Sequence, residues 1–163
     1  ATLQITVFQS NMNVFPISTD FGVPIGADLH ERGHNVDETT RGQLPVSMCL
    51  GWHIGHYAYL MDKLKKTPEG AGTALDNSSL VFMPEAGHGI QLNDGVSNFQ
   101  THSVDRMVLL VGGRAGGLAP GRHIIAPDGT HPGNVLISAM QAAGSTDDTF
   151  GQVTGGKFAE VFG

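Results

Sequence analysis

Leu80-Val81-Phe82-Met83, followed at once by Pro84-Glu85-Ala86-Gly87-His88-Gly89, sets the fold class. Four consecutive apolar residues between an Asp76-Asn77-Ser78 turn and a glycine-rich loop suit a short strand buried on both faces. Residues 107–111 form a second such run, leading directly into Gly112, Gly113, Gly116, Gly117 and Pro120, and residues 122–126 offer a third strand. Ahead of the first strand, Leu50, Ile54, Tyr57, Met61 and Leu64 fall four, three, four and three apart. That spacing predicts a helix over residues 47–66 with one apolar stripe, stopped by Thr67, Pro68, Glu69 and Gly70. A last helix fits residues 134–143, with Gly144 as its stop. Buried strands separated by helices and loops predict an α/β fold: a layered, mostly parallel sheet with flanking helices.

Upstream, Val14, Phe15 and Ile17 read as a short buried strand, and Gly22, Pro24, Gly26 and Gly33 make residues 20–35 a structured loop. With 163 residues and 40% hydrophobic content, the expectation is a single domain over residues 1–163. The 23 glycines predict tight turns rather than a helical bundle. Fifteen acids against nine bases leave a net charge of −6, which provides no footprint for a nucleic-acid backbone. No apolar run reaches the roughly 18 residues of a membrane span. Cys49 is the single cysteine, which excludes an internal disulfide, and its apolar neighbours Val46, Met48 and Leu50 predict a buried, inert thiol.

Eight histidines against nine Lys plus Arg is a high share, and several stand beside acids in glycine-rich loops, where imidazole and carboxylate ligands converge on a metal. His30 and His34 form an HxxxH pair next to Asp28 and Glu31. Glu85 and His88 follow the first buried strand, at the carboxyl end where α/β folds place reactive groups, and His102 stands just before the second run. His53 and His56, three apart on the long helix, read as packing or surface residues, and His123 and His131 as structural ones. Gly112 to Gly117 lacks the GxxxxGK[ST] pattern and reads as a tight loop. No GxSxG elbow occurs, and no Ser or Thr is marked as a nucleophile by a neighbouring base.

From His53 onward the chain resembles the HXXSHH family of secreted bacterial proteins. The words that carry the resemblance are Ala58-Tyr59-Leu60-Met61-Asp62-Lys63-Leu64, Thr67-Pro68-Glu69-Gly70, Gly72-Thr73 and Leu75-Asp76-Asn77-Ser78. They continue in His102-Ser103, Leu109 to Gly113, Gly121-Arg122-His123 and Phe150-Gly151. The naming motif stands altered as His30-Glu31-Arg32-Gly33-His34-Asn35, with Gly33 at the serine and Asn35 at the last histidine. The resemblance implies the C-terminal portion of an alkaline-phosphatase-like fold and a metal-dependent phosphate or sulfate ester hydrolase, or a degenerate remnant of one. On that basis His30, His34, Glu85, His88 and His102 would hold a divalent metal, zinc or calcium. The alternative is a non-catalytic structural or interaction subunit of an exported complex.

The same resemblance implies a periplasmic or extracellular home and an exported c-type cytochrome protein as a partner. It further implies that residues 1–163 are the C-terminal part of a longer protein, whose N-terminal portion, or another subunit, supplies strands and the nucleophile. The expectation is thus a chain that does not fold as an independent enzyme.

Overall fold

The computed structural model describes residues 44–84 and 107–163. The chain divides into two compact units, residues 1–56 with 85–106, and residues 57–84 with 107–163.

Helix α1, Leu44–Lys65, opens with Pro45 in its first turn, where a missing N–H costs no intrahelical bond. In the part of α1 belonging to the first unit, Cys49 is fully buried and His53 nearly so. The His53 ring is accommodated because its Nδ1 donates to the Cys49 carbonyl at 2.8 Å. In the second unit the buried line continues through half-buried Tyr57, Met61 and Leu64. The expected stripe therefore slides in its first half: Ile54 is 39% exposed, and the line of Cys49, His53 and Tyr57 takes its place. At the C-terminus Thr67 caps α1, its Oγ1 donating to the Lys63 carbonyl at 2.9 Å.

In the second unit, β1 (Pro68–Glu69) and β2 (Gly72–Thr73) form a minimal antiparallel hairpin around Gly70. The chain then turns through Asp76, whose Oδ2 accepts the Thr73 amide at 2.9 Å and the Thr73 hydroxyl at 2.7 Å. Strand β3 (Ser79–Phe82) pairs antiparallel with β4 (Leu110–Gly113), with Ser79 opposite Gly113 and Phe82 opposite Leu110. Beyond β4 a 3₁₀ turn, Ala115–Gly117, forms the tight glycine loop.

Helix α2, Pro132–Ala142, is capped at its start by His131, whose Nδ1 accepts the Gly133 amide at 3.0 Å. At its end the Ser145 amide donates to the Met140 carbonyl and the Gly144 amide to the Gln141 carbonyl, with Gly144 at φ +99°. That left-handed stop was expected at Gly144. Val135 and Ala142 of α2 join Leu118, Phe158 and Val161 in the core, with Leu109 and Val111 against them. Ser138 staples the C-terminal segment to α2: its buried Oγ accepts the Phe158 amide at 2.7 Å.

The layered, mostly parallel, alkaline-phosphatase-like sheet is therefore corrected. The described residues hold two small antiparallel two-stranded sheets. The apolar runs were read as strands buried on both faces of a large sheet, yet every residue of β3 is half-buried. Helices meet both faces of the pair: the Tyr57 ring of α1 lies tilted against Phe82 at 5.8 Å between ring centroids, while Val111 packs into the cluster around α2. Residues 122–126 are not a strand. Arg122 is drawn off to the Ala119 and Phe162 carbonyls at 3.0 and 2.9 Å, and Ile125 is 86% exposed.

Candidate functional site

His30, His34, Glu85, His88 and His102 all lie outside the described residues. What the structure does describe is the strand pair to which three of them are tethered. The chain leaves β3 at Phe82 toward Glu85 and His88, and re-enters β4 at Leu110 after His102. Because Phe82 is opposite Leu110, exit and entry lie at one end of the pair.

That strand pair is pinned by Tyr57, whose hydroxyl donates to the Leu80 carbonyl at 3.1 Å and lies 3.5 Å from the Leu110 carbonyl. Burial pushes the phenol up to about 12, partly opposed by the Gly112 amide. Close approach is possible because residue 112 has no side chain: a Cβ there would meet Tyr57 Oη at 2.8 Å and Met61 Cε at 3.0 Å.

Among the described residues no group of three His, Cys, Asp or Glu side chains is placed to hold a metal. The four described histidines have other surroundings. His53 is bonded within α1, and His56 is exposed with Trp52 edge-on to it at 4.2 Å. His131 caps α2, as its structural reading required, and His123 is exposed. Cys49 is buried, and desolvation raises its thiol pKa, the environment of an inert cysteine.

The second unit also contains an open cleft of about 330 Å³ that sequence reasoning missed. Its apolar wall is Met61, Leu75 and Pro120, and its polar side chains are Lys65, Thr73, Asp76 and Arg114. Asp76 is engaged by Thr73, whose hydroxyl and amide hold its carboxyl below the usual range. Arg114 approaches Asp76 through Nε at 3.8 Å. The one sequence signal was the Thr73-to-Asp76 spacing, which fits a side chain closing its own turn.

Compared with known proteins, the chain matches no family model, no curated protein and no solved structure.

Proposed function

We propose that the chain is a metal-dependent phosphate or sulfate ester hydrolase of the HXXSHH type, or a degenerate remnant of one. In this proposal a divalent cation is held by His30, His34, Glu85, His88 and His102. The observation that supports it is the antiparallel register of β3 and β4, which starts the Glu85–His88 segment and ends the His102 segment at the same end of one strand pair. Four imidazoles and one carboxylate are a nitrogen-rich donor set, suited to zinc rather than to oxygen-seeking calcium. When bound, such a cation polarises a phosphoryl or sulfuryl oxygen and stabilises the leaving charge. The ligands' part is to present neutral imidazole nitrogen and an ionised carboxylate, so metal loading falls as pH drops below the histidine range.

The test is metal analysis of the purified chain alongside His30→Ala and His102→Ala. The expected result is loss of bound zinc in both variants, together with metal-dependent turnover in a panel of phosphate and sulfate esters. Unchanged metal content in both variants defeats the site. Bound zinc without turnover indicates the remnant.

A second reading, an interaction subunit of an exported complex, is favoured by the surface of the second unit. Tyr59, Leu60, Met83, Val108, Ile125 and Phe150 all expose large apolar side chains there. Its partner would be the remainder of a longer protein or an exported c-type cytochrome protein, in the periplasm or outside the cell. Among the described residues no helix is long and apolar enough to cross a membrane.

A further inference from the structure

The three neighbouring lysines at the end of α1 have different fates. Lys66 is paired with Asp62 at 2.6 Å, and Lys63 lies over the Tyr59 ring at 5.0 Å. Lys65 lines the cleft and, among the described residues, has no hydrogen-bond or ion-pair partner. Arg114, just beyond the end of β4, approaches Asp76 through its Nε at 3.8 Å, and among the described residues no hydrogen bond engages Nη1 or Nη2. Two cations thus line one cleft, and one of them lies near a carboxylate that is itself fixed by Thr73. A guanidinium edge can make two parallel bonds to an oxyanion.

We propose that this cleft binds a small monocarboxylate carried on an apolar body. The carboxylate sits on a guanidinium edge of Arg114 and on Lys65, and the body lies against Met61, Leu75 and Pro120. The charge count selects the class: Lys65 and Arg114 against Asp76 leave a single net positive charge, which matches a monoanion. A dianionic phosphate would bring its second charge against Asp76. The apolar wall excludes a fully hydrated anion as the best occupant, and the volume stands at the small end of ligand sites. None of these residues belongs to the proposed metal set, so the two proposals fail separately.

The experiment is an NMR titration of the full 163-residue chain with phenylacetate, phenylacetamide and inorganic phosphate. Phenylacetate is expected to give saturable shifts at the Thr73, Asp76 and Arg114 amides. Arg114→Gln should weaken it about tenfold or more, and Lys65→Gln by a few-fold, in keeping with a charge-assisted pair and an exposed ammonium respectively. Phenylacetamide should bind at least about tenfold more weakly, because it cannot accept the paired bonds as an anion. Both side chains are exposed, so circular dichroism of the variants should be unchanged. Equal binding of the amide, phosphate binding as tight as phenylacetate, no saturable shift, or full affinity in both variants each overturns the assignment.

Discussion

Replacing Gly113 with alanine tests the register on which the strand pair depends. Two penalties apply and can be separated. Gly113 has φ +90°, a conformation costing a residue with a Cβ about 1–2 kcal/mol. The added methyl would also lie 2.7 Å from the Ser78 carbonyl carbon and closer still to its oxygen. That oxygen cannot turn aside as a side chain would. It accepts the Ala115 amide at 3.2 Å, and Ser78 is tied to Leu75 and Ala74 through its own amide and hydroxyl at 3.2 and 2.6 Å. Relief requires parting β3 from β4, an overpacking cost of about 1–3 kcal/mol. The combined loss is about 2–5 kcal/mol, lowering the melting temperature by roughly 10 °C for a chain of this size. Gly117→Ala is the control: φ is +88°, but nothing lies within 4 Å of the new methyl, so only the conformational penalty applies. Urea denaturation followed by circular dichroism should show Gly113→Ala losing at least about 1 kcal/mol more than Gly117→Ala. Equal losses would refute the close approach of Gly113 to Ser78 and with it the register.

Tyr57→Phe should cost about 1 kcal/mol at neutral pH by removing the hydroxyl from the Leu80 carbonyl. It should also remove a pH dependence. With the folded-state phenol near 12 and the unfolded one near 10, the stability it contributes is complete below about pH 10 and is lost as pH rises through 12. Discounted for a half-exposed ring, that amounts to about 1 kcal/mol in the native chain, and identical alkaline slopes in the two proteins would contradict it. Ser138→Ala leaves the Phe158 amide without its 2.7 Å partner in a nearly sealed site. The expected loss in denaturant titration is about 1–3 kcal/mol, and a change below about 0.5 kcal/mol would show that the C-terminal segment is not held there.

Helical periodicity made α1 legible, and α2 was legible with its Gly144 stop because a left-handed residue at that point has few chemical solutions. The buried face of α1 was only partly so. Cys49 and Leu50 are neighbours of comparable hydrophobicity, and the choice between them turned on His53, whose ring nitrogen finds a partner four residues back and so tolerates burial. A period count that scores histidine as polar misses that. Ile124 and Ile125 misled in the opposite sense: one packs on the core, while the other is 86% exposed and points to no partner strand. The cleft was invisible because Lys65, Asp76 and Arg114 come from a helix end, a turn and a strand end that only the fold brings together.

Strand direction is the property that an apolar run cannot carry, and it bears on function more than strand existence does. A helix lies against each face of the pair, yet β3 is only half-buried and Met83 and Val108 of the two apolar runs are exposed. Had β3 and β4 run parallel, the chain would leave β3 toward Glu85 at one end of the sheet and reach β4 from His102 at the other. The two ends would lie roughly 13 Å apart at about 3.3 Å per residue over a four-residue strand. In the antiparallel pair Phe82 faces Leu110, so the chain leaves β3 and enters β4 at the same end. Overturning the parallel sheet therefore removes the fold analogy while shortening the path between the tethers of Glu85 and His102. For that reason the metal proposal rests on the Phe82–Leu110 pairing, and under that proposal a register shift at Gly113 should lower zinc content as well as stability.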